Sequence, residues 1–256
     1  MLPIRDENPT SSRPIVTMLL IGACVGIYFL VQPSGGSPEA QGEQAAFTFE
    51  TAAIPCEVIR GRPLSEEEVV ETLEGSDDTA CTADPSTRPV FPDKNVWFSI
   101  VYSMFLHGGL LHLGGNMLFL WVFGNNIEDT KGKITYLVFY LLAGLAATAA
   151  HIAVQPASTI PVVGASGAIA GVMGAYLVLF PNVPIKTFVM FFFITFIDIR
   201  AKWLLGFWFL SQFWVQPDSG VAWMAHVGGF AFGVAAGLLW KARAKPDSDY
   251  ELKPFH

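Results

Sequence analysis

Apolar residues gather into six long runs along the chain, at 15–31, 110–127, 134–154, 165–180, 201–215 and 221–240. Where complete they span roughly 17 to 21 residues, the length an α-helix needs to cross a hydrocarbon core about 30 Å thick. The pattern predicts an all-α polytopic membrane protein with six transmembrane helices. Two stretches do not fit a simple crossing. Trp97, Phe98, Val101, Met104 and Phe105 recur at helical spacing just before the second run and make one apolar face. Joined to that run they would give about 31 residues, too many for one span, so they predict an interfacial helix in the outer leaflet. The run 187–197 is apolar but short, with Pro184 and Lys186 before it and Asp198, Arg200 and Lys202 after it. Charges at mid-membrane are costly, which puts this run against the cytoplasmic interface or folded back into the protein; one long fifth span over 186–215 is the other reading.

The first run follows Arg5 and Arg13, as a cleaved signal peptide would. Asp6 and Glu7 cancel those charges, the run exceeds a usual signal core, and no small-x-small site closes it, which favours a retained helix. Composition supports the membrane class: 52% hydrophobic residues with only 14% charged, and 21 phenylalanines, do not suit a water-facing surface. The net charge of −7 is unevenly spread. Residues 32–96 hold 13 acidic against 4 basic side chains, a local balance of −9, so the remainder carries +2. Lys131 and Lys133 after the second span, and Lys241, Arg243 and Lys245 after the sixth, mark the cytoplasmic side. The expected layout is a cytoplasmic segment 1–14, a six-helix membrane domain 15–240 with an acidic extracytoplasmic loop at 32–96, and a cytoplasmic tail 241–256. The acidity argues against nucleic acid as a partner. The expected location is a bacterial cell (inner) membrane, with both termini cytoplasmic.

Within the acidic loop, 32–44 is rich in Gly, Pro, Ser and Gln and reads as linker. Ser65-Glu66-Glu67-Glu68 followed by Val69, Val70 and Leu73 resembles a capping box opening a short helix. Of the three cysteines, Cys24 falls inside the first span and is expected to stay a free thiol. Cys56 and Cys81 are left as a pair on the oxidising side, either bridged around that short helix or as two free thiols.

Polar residues inside spans are costly and need a reason. The second span opens His107-Gly108-Gly109-Leu110-Leu111-His112-Leu113-Gly114-Gly115-Asn116, with His112 and Asn116 one turn apart on one face. They can serve a site or bond a neighbouring helix. A metal held by histidines is a competing reading, but no Asp, Glu or Cys at the outer ends of the spans completes a ligand set. The fourth run begins Gly164-Ala165-Ser166-Gly167, a serine at the mouth of an apolar helix. The sixth contains Ala225-His226-Val227-Gly228-Gly229, and Gly229, Gly233 and Gly237 form a small-residue stripe beneath His226. Ser166, Ala170 and Gly174 offer a matching stripe, and packing the two would bring Ser166 to His226. His151 reads as a satisfied structural histidine, and Glu128 and Asp129 as a helix terminus paired with Lys131 and Lys133.

Taken in order, His107, His112 and Asn116, then Gly164-Ala165-Ser166-Gly167, then Ala225-His226-Val227-Gly228-Gly229 with Gly233, resemble the rhomboid intramembrane serine proteases over about residues 15–240. The resemblance implies a six-transmembrane-helix rhomboid-like bundle, here with an enlarged first extracytoplasmic loop. It also implies Ser166 as nucleophile, His226 as general base, and His112 and Asn116 as oxyanion donors beside the Ser166 backbone N–H. His107 would structure the outer end of the second span. Two departures stand out: Trp97-Phe98-Ser99 where a Trp-Arg pair is common, and Ala170 four residues after the serine, where an aromatic ring often buttresses the base. No acidic residue is available to orient His226, so a Ser-His dyad held by packing is expected. No cofactor and no metal are expected. The expected partners are the lipid bilayer and transmembrane protein substrates, entering beside the fifth span near Phe209, Phe213 and Trp214; a non-cleaving binder of transmembrane clients is the rival reading.

Overall fold

Most of the apolar runs wind into helices, because a backbone surrounded by apolar groups must satisfy its own hydrogen bonds. A computed structural model describes residues 1–75, 81, 86–190, 194–215 and 222–243; the tail beyond Arg243 lies outside the described residues. Its elements are β1 (Leu2–Asp6), α1 (Ile15–Leu30), α2 (Pro38–Thr51), α3 (Pro55–Arg60), α4 (Glu66–Glu74), α5 (Phe98–Ser103) and α6 (Leu110–Lys131). There follow α7 (Lys133–Val154), α8 (Ser166–Leu179), β2 (Pro184–Met190), β3 (Ile194–Arg200), α9 (Ala201–Ser211) with a 3-10 turn at Gln212–Trp214, and α10 (Trp223–Arg243). By length and composition α7 and α10 can cross a membrane, while α1 and α8 are shorter apolar helices.

The chain is not all-α. β1, β2 and β3 form an antiparallel sheet in that order. The run 187–197 supplies its hairpin, which also removes the long fifth span over 186–215. The run is rich in β-branched and aromatic residues, and at the start of β2 Ile185 and Thr187 are buried on either side of the half-buried Lys186. Across the hairpin Lys186 stands opposite Asp198, and Phe188 opposite Phe196 with ring centroids 5.4 Å apart. The charges that bounded the run thus form a cross-strand pair. Asp6, at the end of β1, is buried and accepts hydrogen bonds from Asn126 and from the Tyr176 hydroxyl.

Glu128 and Asp129 serve a different end from the one expected. Glu128 accepts from the backbone N–H groups of Val16 and Thr17 and from the Thr17 hydroxyl, and Asp129 accepts from Ser11 and Ser12. The first turn of α1 exposes unpaired N–H donors and the positive end of its dipole, and these two carboxylates answer both.

α8 and α10 pack at backbone distance. A β-carbon on Gly229 would collide with the Gly167 carbonyl, one on Gly233 with the Gly171 carbonyl, and one on Gly174 with the Phe230 carbonyl. The Gly229, Gly233, Gly237 stripe is used, but its partner face on α8 is Gly167, Gly171 and Gly174. Ser166 and Ala170 do not form that seam, since glycine allows closer approach than the expected serine and alanine.

Between α1 and α5 the described residues of the acidic segment form three helices. The supposed linker carries α2, started by the Ser37 side chain accepting from the Ala40 N–H, with Pro38 and Glu39 in the first turn. α4 opens with the expected capping box of Ser65 and Glu68. Cys56 and Cys81 are bonded, their Cα atoms 5.7 Å apart, and Cys24 is a buried free thiol. Arg60 pairs with Glu68, and Lys94 with Glu57, both members of the latter being buried.

Candidate active site

The site is assembled at the start of α8. The loop before it is pinned from two sides. Three contacts come from the acidic segment: Val162 N–H donates to the Ala53 carbonyl at 2.8 Å, Cys56 N–H donates to the Ser158 carbonyl at 2.9 Å, and the hydroxyls of Thr72 and Thr159 meet at 2.6 Å. The buried Ser103 joins the two bodies: its carbonyl accepts from Gly164 N–H and its hydroxyl from Ala53 N–H. Gly164 takes a φ of +124°, which only glycine adopts without strain. A β-carbon there would also lie 2.8 Å from Nε2 of His112 and 3.6 Å from Oγ of Ser166. The glycine therefore lets the serine and the histidine of α6 come to the same spot.

Ser166 is the first residue of α8, so its N–H lacks an intrahelical acceptor. Its Oγ lies 2.8 Å from Nε2 of His226 on α10. A cavity of about 20 Å³ against Ser166, lined also by Ser103, Thr148 and Gly164, has room for one water molecule. His112 accepts at Nδ1 from the Gly108 N–H at 3.4 Å, which leaves Nε2, the atom beside Gly164, to carry its proton. Asn116 is buried on the same helix, and its Nδ2 has no hydrogen-bond partner among the described residues. An unpaired buried donor costs about 1–3 kcal/mol.

Residues 94–243 match the family described as the Rhomboid domain. The chain belongs to the rhomboid family. The mitochondrial rhomboid protein 1 of Saccharomyces cerevisiae is 30% identical to it over 148 residues, covering 54% of this chain and 40% of the yeast protein. Rhomboid protease GluP of Bacillus subtilis is 38% identical over 81 residues, 32% of this chain and 15% of that protein. Rhomboid-type serine protease 2 of Emericella nidulans is 27% identical over 156 residues, 57% of this chain and 27% of the fungal one. The chain thus spans well under half the length of each. Rhomboids form a membrane protein family, and this chain is a rhomboid-family membrane protein.

Several of the candidate site residues are held by groups that the sequence did not single out. Gln32 clamps His107: its amide donates to the His107 carbonyl and accepts from the His107 N–H, both at 3.0 Å. Nδ1 of His226 lies 2.7 Å from Oε1 of Gln212, so an amide, rather than packing alone, holds this ring. The aromatic support that Ala170 cannot give comes from α9, where the Trp208 ring lies 5.8 Å from that of His226. The signal for Gln212 was present: it is the single amide in the apolar run 201–215. His151 is not satisfied as expected, since it is buried with Nδ1 unpartnered among the described residues. Of the fifth-span aromatics, Phe213 and Trp214 are exposed, whereas Phe209 stacks on Phe230 at 4.6 Å. Trp97 is 63% exposed, and Met104 is buried where a side chain on Gly144 would stand, so the stretch 97–105 has one outward and one inward end.

Proposed function

We propose that this rhomboid is an intramembrane serine endopeptidase that cuts transmembrane protein substrates near the outer membrane face through a Ser166–His226 dyad. The observation that carries the reading is the 2.8 Å contact of Ser166 Oγ with His226 Nε2 at a helix start. A serine hydroxyl becomes an effective nucleophile when a base within hydrogen-bond reach takes its proton, and imidazole has the intrinsic affinity for it. As Oγ attacks the scissile carbonyl, the proton passes to Nε2 and the carbonyl oxygen gains charge. Asn116 Nδ2, His112 Nε2–H and the Ser166 N–H stabilise that charge, each by about 3 kcal/mol in comparable sites. The imidazolium then protonates the leaving amine, and water, deprotonated by the same imidazole, releases the acyl group.

The topology that goes with this chemistry has α1, α6, α7, α8, α9 with its 3-10 turn, and α10 as six crossings of a bacterial inner membrane, both termini cytoplasmic. The 14 residues of α8 span roughly 21 Å, less than a hydrocarbon core of about 30 Å. Ser166 then lies below the outer face, and the acidic segment 32–96 stands outside, where a Cys56–Cys81 bridge persists. A substrate helix must unwind locally to offer a carbonyl that its own hydrogen bonds otherwise hide.

The test is labelling in detergent with a fluorophosphonate, which Ser166 attacks with loss of fluoride. Wild-type protein should label, and Ser166→Ala and His226→Ala should each abolish labelling while remaining folded. Persistent labelling of folded Ser166→Ala would rule out Ser166 as the nucleophile, and no labelling of the folded wild type would leave a non-cleaving client binder.

A further inference from the structure

Gln212 sits in the 3-10 turn that continues α9, only 6% exposed, in a run otherwise built of apolar and aromatic residues. Its side chain is oriented without ambiguity by its neighbours. The Ser211 hydroxyl donates to the Trp208 carbonyl at 2.6 Å, which uses its one hydrogen and leaves its oxygen to accept. The other end of the Gln212 amide lies 3.0 Å from that same Trp208 carbonyl and 3.3 Å from the Ser211 oxygen. Two acceptors there require the NH2 group, so Oε1 is the atom facing His226. An oxygen that can only accept, 2.7 Å from Nδ1, requires Nδ1 to carry the ring proton. A neutral imidazole has one N–H, so Nε2 holds a free lone pair toward Ser166. That is the tautomer a general base needs; the opposite one would present a second donor to the serine hydroxyl.

We propose, resting on the serine-protease reading above, that Gln212 is a positioning residue that sets His226 in its Nδ1–H tautomer and fixes its ring toward Ser166. The dyad then works as a relay of three side chains from three helices, with an uncharged amide where other serine hydrolases use a carboxylate. When Nε2 takes the serine proton, the Nδ1–H bond to Gln212 is kept and strengthens as the ring becomes charged. Trp208 serves twice, its carbonyl holding the amide and its ring lying over the imidazole at 5.8 Å. Burying an amide in an apolar helix is costly, and the bond to His226 is the one contact it makes outside its own turn among the contacts described.

The experiment follows fluorophosphonate inactivation of the full chain in detergent, resolved into the maximal rate kinact and the half-saturating concentration KI. It compares wild type, Gln212→Met, which keeps length without an acceptor, and Gln212→Glu, which keeps an acceptor facing Nδ1. Gln212→Met should lower kinact about 10²-fold with KI within about twofold, and Gln212→Glu should recover at least about tenfold of that loss. Nitrogen NMR of 15N-histidine-labelled wild type, with His226→Ala for assignment, should show Nδ1 of His226 protonated and Nε2 bare. A folded Gln212→Met with wild-type kinact, equal impairment of Met and Glu variants, or a wild-type His226 protonated at Nε2 would each overturn the proposal, the last without relying on any variant. In those cases a labelled wild type and an unlabelled Ser166→Ala would still uphold the protease reading, whereas an unlabelled wild type would sink both.

Discussion

The helical core and the acidic segment 32–96 are held together by opposite means. In the core, α8 meets α10 along Gly167, Gly171 and Gly174 against Gly229 and Gly233, with carbonyls where side chains would otherwise stand. Lipid is as apolar as a leucine, so burying apolar surface brings membrane helices together only weakly; close backbone packing has to do it. In the acidic segment the buried apolar cluster is small, centred on Phe49, Ile54, Cys56 and Leu64. There a disulfide, the Arg60–Glu68 and Lys94–Glu57 pairs and the Ser65 capping box supply what a small core cannot. The two modes meet at the loop before Ser166, which leans on the acidic segment through Val162, Ser158 and Thr159 and on the core through Gly164. Ser166 is therefore set by tight packing behind it and polar staples in front.

The largest effect expected is on the core. Gly233→Leu would drive a side chain into the Gly171 carbonyl, and such a protein should fail to give a cooperative melt, a loss of more than about 4 kcal/mol. Gly206→Ala, where nothing lies within 4 Å, should leave the melt unchanged or slightly raised. Equal tolerance at both positions would break the packing side of the comparison.

Next comes the buried pair of the acidic segment. Burial pushes the Glu57 carboxyl up and the Lys94 ammonium down from their ordinary values, each partly restored by the other. Lys94→Met would strand the carboxylate and should cost that segment about 3–5 kcal/mol, read as faster hydrogen exchange in α3 and α4 than in α7. Removing the bridge with Cys56→Ser and Cys81→Ser together should cost about 3 kcal/mol in the same region. Protection lost evenly across the protein would mean that the two regions are one cooperative unit.

A smaller change concerns rate alone. Asn116→Ala should lower fluorophosphonate or peptide turnover by about 10²-fold with an unchanged melt, because its donor is needed as charge develops. A shifted melt with unchanged turnover would assign it to helix contact.

The smallest effect asks whether polar fastening extends to the sheet. Burial raises Asp6 from the usual carboxylate value to about 6, outweighing the hydrogen bonds from Tyr176 and Asn126. With the folded value above the unfolded one, the protonated carboxyl favours the fold. That contribution is complete below about pH 4 and is lost as pH rises through about 6. A melt series across this range should show the slope, and Asp6→Asn should flatten it.

How far the sequence reached depends on what kind of contact decides each feature. The order of apolar runs, the capping box at Ser65 and Glu68, the Gly229–Gly233 stripe and the His and Ser motifs were legible, because each is written in local spacing or in residue types that are costly inside a membrane. The sheet was missed because Leu2–Asp6 and the 187–197 run pair across the length of the chain, and a short apolar run shows no period that separates strand from helix, although its β-branched and aromatic content favours a strand. The true α8 face differed by one residue, since two glycine rows approach more closely than any angular projection from one helix can tell. Glu128 and Asp129 looked like partners of nearby lysines, yet α1, over a hundred residues away, offered unpaired N–H donors. Gln212 is the sharpest case: sequence alone supplies an amide in an apolar run, and only the folding of α9 against α10 makes its oxygen the acceptor that orients His226.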